Sequence, residues 1–222
     1  MAKSTLLKSS IAKKVAMALS GIFLILFLAL HFFVNLVSVF SADSYNVMSH
    51  FMGYNPLIQF VMQPILVAGV VFHFVMGFVL EIKNRSARPI AYVKYDGAAN
   101  ASWASRNMIY SGLVILAFLV LHFYDFWFAE MMYKYVNVNA IEETRYFPEM
   151  VHKFESPVRT GFYCVAFILL SIHLWHGFTS SLQSIGFDSK IGKSLHKICH
   201  AFAIIVPFGF IFIALFHHFI NN

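Results

Sequence analysis

Five apolar runs, each long enough to cross a bilayer, govern what this chain can fold into. A helix needs about 20 predominantly apolar residues to span the hydrocarbon core. The runs cover about residues 15–40, 57–80, 107–128, 158–183 and 198–220. Backbone polar groups in lipid must be satisfied within their own segment, which leaves helices for runs of this kind. The expected fold is all-α: an integral membrane bundle of five transmembrane helices, forming a single domain over residues 1–222. Composition agrees, because a soluble domain that is 59% hydrophobic and 12% charged could not cover its own surface. The first run, Val15 to Phe40, is uncharged and too long for the apolar region of a signal peptide, so it reads as a retained span. Pro64 and Pro207 fall inside spans and are expected to kink them. No internal repeat is evident.

Charge sets the expected orientation. Lys3, Lys8, Lys13 and Lys14 precede the first run; Lys83, Arg85, Arg88, Lys94 and Arg106 fill the second connection; Lys190, Lys193 and Lys197 fill the fourth. The other side carries Lys134, Arg145, Lys153 and Arg159. Twelve basic residues against four put the N-terminus inside and the C-terminus outside. The formal charge of +6 reads as membrane-surface charge, attractive to lipid, and not as a nucleic-acid footprint, because the cations flank apolar runs. Cys164 and Cys199 form no C-x-x-C or C-x-x-C-H motif, which argues against a disulfide framework, a zinc site and covalently attached haem. The segment Phe126–Met132 is expected along the outer interface.

The chemistry lies in the histidines. There are eleven, and an ionisable group inside a membrane is a functional candidate by default. His31, His73, His122 and His173 stand deep in four different runs, one in each, which suits axial ligation of haem iron from facing helices. His31 lies about 16 residues, or about 24 Å, from the inner end of its helix, and His122 about 15 residues. His73 and His173 lie about 8 and about 10 residues from the inner ends of theirs. The expected pairs are therefore His31 with His122 at an outer level and His73 with His173 at an inner one, about 10 Å apart along the normal. Two bis-histidine haems b at two depths would carry electrons across the membrane. Gly69 and Gly77 flank His73, and Gly177 and Gly161 flank His173, small residues that let a flat macrocycle approach or that let helices pack. His176 is the rival ligand in the fourth helix. His196 and His200 are expected at the inner interface, and His217 and His218 at the outer one. The expected donors to inner haem propionates are Ser20, Trp103, Arg106 and Lys193. No carboxylate is expected inside a helix.

These motifs together resemble one family. They are Ser20-Gly21 with His31 and Asn35 in the first helix, His73-x-x-x-Gly77 in the second, Ser111-Gly112 with His122 in the third, and His173-x-x-x-Gly177 with Gly186 in the fourth. The pattern resembles the cytochrome b membrane-anchor subunit of succinate dehydrogenase and fumarate reductase, in its single-chain, five-helix, two-haem bacterial form. The resemblance implies the same pairing of ligands. It also implies an iron–sulfur subunit and a flavoprotein subunit on the inner face of the bacterial cytoplasmic membrane. Electrons would pass between succinate or fumarate and a membrane quinone, menaquinone in most two-haem forms. The dicarboxylate chemistry would belong to another chain. Some fumarate reductases of this type carry a glutamate two residues before the fourth-helix ligand; Ser171 stands there in this chain, which puts a proton route through such a glutamate in doubt. Candidate polar contacts for the quinone are His50, Asp43, Asp125 and Glu130. Two other readings stay open: the dihaem anchor of a formate dehydrogenase, nitrate reductase or hydrogenase, and a transporter whose histidines relay protons or bind metal.

Overall fold

The computed structural model describes residues 9–86, 106–187 and 190–220, with side chains from Ser194 onward in the last stretch. Among the described residues seven helices follow in order: α1 Ser10–Phe40, α2 Ala42–Tyr54, α3 Ile58–Ser86, α4 Met108–Val136, α5 Tyr146–Phe154, α6 Pro157–Ser184 and α7 Lys190–Ile220. No strand occurs among the described residues. Five helices are long and apolar enough to cross a membrane: α1, α3, α4, α6 and the Ser194–Ile220 part of α7. They run 27 to 31 residues, longer than the sequence runs suggest. The extra turns carry polar residues that hydropathy alone ends on.

Helix α4 departs most from expectation. It continues through Phe126–Met132 to Val136 instead of laying that segment along the surface. It does so by widening: Phe123–Phe128 and Met132–Val136 are π-helical, inserting extra residues without breaking the helix. Helix α3 opens with a similar wide turn at Ile58–Met62, just ahead of Pro64. A proline lacks its N–H and crowds the preceding turn, and a π-turn there accommodates it.

Two short helices lie between spans on one face. Ser41 caps α2, its hydroxyl accepting from the Ser44 N–H at 3.1 Å, with Asp43 in the favourable first turn. Helix α5 turns Met150, Val151 and Phe154 inward. The two are joined where Asn46 Oδ1 accepts from the Phe147 N–H at 2.8 Å. Ser156 then caps α6, which has Pro157 in its first turn and ends at Gly186, whose φ of +95° suits a residue without a Cβ.

The packing order makes the site. Helix α1 touches α3, α3 touches α4, α4 touches α6, and α6 returns to α1. In this four-helix ring α1 and α4 stand on one diagonal, α3 and α6 on the other. Helix α7 braces the α1–α6 side and has the largest buried share of any span. Cys199, Ala203, Val206, Phe210, Ala214 and His217 recur along its buried stripe. Small residues suit it, since in lipid close backbone approach drives helix association in place of the hydrophobic effect. Helix α3 buries no residue fully and offers apolar side chains outward.

Candidate functional site

Four imidazoles project into the ring, one from each helix, and all line one cavity of about 540 Å³. On one diagonal the rings of His31 and His122 lie 5.7 Å apart between centroids, at 84° to each other. On the other diagonal His73 and His173 lie 6.4 Å apart at 68°. The two pairs sit at different depths. Ser20 of α1 reaches His73, and Ser111 of α4 reaches His173; each serine stands eleven residues before the histidine of its own helix. Eleven residues of α-helix rise about 16 Å, so the levels are further apart than counting from helix ends suggests. Counting assumed a common starting plane, whereas α1 begins at Ser10.

The hydrogen bonds define which nitrogen faces the cavity. Ser20 Oγ donates to the Met17 carbonyl at 2.8 Å and lies 3.1 Å from His73 Nδ1. A hydroxyl has one proton. With that proton on the carbonyl, the serine accepts from Nδ1–H, and His73 Nε2 is left with a bare lone pair. Ser111 repeats the arrangement, donating to the Met108 carbonyl at 2.9 Å and lying 3.1 Å from His173 Nδ1. An imidazole fixed by a second partner at Nδ1 is the form in which histidine binds a metal through Nε2. In the other pair, Asn35 Nδ2 donates to the His31 carbonyl at 2.8 Å and lies 3.5 Å from His31 Nδ1. His31 stacks on Phe27 and His122 on Phe118, one turn earlier in each helix.

The arrangement is two-fold. Met17, Ser20, Gly21, Phe27, Leu28, Leu30, His31 and Phe32 correspond in spacing to Met108, Ser111, Gly112, Phe118, Leu119, Leu121, His122 and Phe123. His73, Gly77 and Phe78 likewise correspond to His173, Gly177 and Phe178. Each half is a span, a short surface helix and a second span: α1-α2-α3 and α4-α5-α6. The expectation of no internal repeat is corrected here. The spacing between half-motifs differs between the halves, which hides the repeat from a search at one fixed period. Each histidine pair takes one residue from each half.

The residues fit a haem on three counts. Two metal–nitrogen bonds of about 2 Å each, plus the half-widths of two rings, place axial imidazole centroids about 6 Å apart, close to both separations. Each level offers two nitrogen donors, as needed by a metal that brings its own equatorial ligands. Among the described residues no group of three or more His, Cys, Asp or Glu could hold a bare metal ion. Glycines line the cavity beside the histidines: a Cβ on Gly21 would meet Ser181 Oγ at 3.2 Å and the His73 ring at 3.5 Å, and one on Gly112 would touch the His173 ring at 3.7 Å, so only a side chain larger than a methyl would intrude.

The remaining sequence candidates scatter. Ser20, expected as a propionate donor, is engaged at His73. Arg106 is exposed just before α4. Trp103 and the Lys193 side chain lie outside the described residues. His176 lines the cavity beside His173. His200 stacks on Trp175 at 4.0 Å and 4°. His217, expected at the interface, is fully buried with Nε2 at 2.8 Å from Ser38 Oγ, and His218 Nδ1 donates to the Phe154 carbonyl at 2.7 Å. Asp43 is exposed on α2, and His50 stacks on Tyr54. Glu130 is tied to Lys134 at 2.6 Å and to Arg145, whose guanidinium lies over the rings of Tyr133 and Tyr146. Burial pulls that guanidinium down, but Glu130 and Glu149 together outweigh it and hold it above its ordinary value.

Asp125 corrects the expectation that no helix holds a carboxylate within the bundle. It is 1% exposed, accepts from the Tyr163 hydroxyl at 3.0 Å and pairs with Arg159 at 3.2 Å. Its place near the end of the third apolar run suggests an ordinary surface carboxylate; the continuation of α4 and the cover of α6 bury it.

No family model matches the chain, and no curated protein or solved structure matches it.

Proposed function

We propose that this chain is a two-haem b membrane cytochrome that passes electrons across a bilayer between a partner on one face and a membrane quinone. One observation carries the reading: two histidine pairs, at two depths of one cavity, each spanning the ring at the separation of axial imidazoles. His31 and His122 would hold one haem and His73 and His173 the other. Bound there, the group supplies reversible one-electron chemistry at iron. The chain's own residues do the rest. Ser20 and Ser111 fix the tautomer of one pair and hold its rings in place. Phe27 and Phe118 fix the planes of the other pair. The Leu and Phe lining keeps water from the path and lowers the local dielectric.

The resemblance to the anchor subunit of succinate dehydrogenase and fumarate reductase extends the proposal. The basic residues of the N-terminal tail and the second and fourth connections favour the cytoplasmic side of a bacterial membrane, where an iron–sulfur subunit and its flavoprotein would dock. Menaquinone would react near the opposite face, beside His31 and His122. In that complex the chain is the electron-transfer and quinone-reactive subunit.

Oxidised and dithionite-reduced visible spectra of the protein purified in detergent, with a pyridine haemochrome assay, test the proposal. A low-spin b-type spectrum with about two haems per chain is expected from four axial histidines. A folded, membrane-inserted chain that takes up no haem when haem is abundant sinks it and brings the transporter reading forward.

A further inference from the structure

Three of the four paired histidines have a neighbour at Nδ1: Asn35 for His31, Ser20 for His73 and Ser111 for His173. His122 Nδ1 is buried with no partner among the described residues. At the position that the two-fold relates to Asn35 stands Phe126, which cannot serve. One further residue breaks the two-fold nearby: Asp125, where α1 has Val34.

Asp125 has its own unsatisfied atom. Oδ2 takes both the Tyr163 hydroxyl and the Arg159 guanidinium, while Oδ1 is buried without a partner among the described residues. One helix therefore carries, three residues apart, an unpaired ring nitrogen and an unpaired carboxylate oxygen. The ring of Tyr163 lies against His122 and its hydroxyl against Asp125, so the two groups share a wall. The π-helical turn that begins at Phe123 separates them. Such a turn re-aims side chains, and it occurs often at functional sites.

We propose that Asp125 is the positioning residue for His122: its Oδ1 accepts the Nδ1–H of His122 through one bridging water, fixing the tautomer that leaves Nε2 free for iron. The inference rests on the haem reading above. A water between them would have two polar partners, one buried donor and one buried acceptor. Arg159 and Tyr163 hold the carboxylate in place. A carboxylate acceptor makes the ring more basic than the serine acceptors of the other pair do, so the two haems would differ in potential. The asymmetry favours the oxidised form at the His31–His122 level.

Two measurements test this, one of them without haem. In the full chain labelled with isotopic histidine nitrogen, prepared haem-free in detergent and assigned with His122→Gln, His122 is expected to carry its proton on Nδ1. A proton on Nε2 in the wild type overturns the proposal. In the haem-loaded protein, Asp125→Asn is expected to raise the midpoint potential of one haem and leave the other unchanged. Two unchanged potentials, with both haems retained, also overturn it. Should the wild type take up no haem, the cytochrome reading fails, and the nitrogen resonances still decide the hydrogen bond.

Discussion

Glycine is the residue on which the cavity depends most directly. Gly112 faces the His173 ring with room for a Cβ at 3.7 Å and no more. Gly112→Leu is expected to fill the space beside His173 and to abolish one haem while the helices remain. Gly161 meets nothing within 4 Å of a built Cβ, so Gly161→Leu is the control and is expected to keep both haems. Helix propensity favours both substitutions by about 0.5–1 kcal/mol, so unfolding is not the reason for any loss. Haem per chain, together with far-ultraviolet circular dichroism, checks the pair. At this scale the sequence was legible where one residue type in lipid has few uses, as with the four histidines. It was opaque where a residue's meaning depends on what folds over it. Asp125 and His217 look interfacial by position but are buried, the first against Tyr163 and Arg159 of α6 and the second against Phe147 of α5, a helix too short and polar to announce itself by hydropathy.

The surface helices form a cap whose stability is separable from the bundle. Arg145 joins the chain before α5 to the end of α4 through Glu130 and to α5 through Glu149. It is 5% exposed, so its removal leaves Glu130 with half its neutralising charge in a largely dry setting. Arg145→Ala is expected to cost on the order of 3 kcal/mol, read as a lowered thermal midpoint in detergent with haem content initially intact. The cap also predicts an alkaline limit. Burial, with the charge of Glu149 adding to it, pushes Tyr45 up to about 12 from its ordinary 10. A group whose folded pKa is raised contributes stability that is whole below pH 10 and is lost as pH climbs through about 12. Thermal midpoints over that window should fall in the wild type and fall less in Tyr45→Phe. The five spans could be read from apolar length because lipid leaves the backbone no alternative. The cap could not, because α2 and α5 are specified by capping and ion pairs of single residues.

The molecule as a whole is two similar halves closed around one axis, and that closure makes a further prediction about coupling. Ser20 belongs to the first half and Ser111 to the second, yet they support the two rings of the same pair. Asn35 belongs to the same half as Ser20 but serves the other pair, about 16 Å away along the helices. If function followed the halves, Ser20→Ala and Asn35→Ala would interact. If it follows the pairs, Ser20→Ala and Ser111→Ala would. A metal held between two imidazoles binds both or neither well, so loosening one ring changes what loosening the other costs. The double serine variant is therefore expected to depart from the product of the single effects by about 0.5 kcal/mol or more in haem affinity, while Ser20→Ala with Asn35→Ala combines within about 0.5 kcal/mol. Each single serine variant should lose about tenfold or more in affinity at one site only. Haem titrations of the wild type and these five variants separate the cases. Additivity between the serines would mean that the rings are set by helix packing alone and that the hydroxyls are incidental.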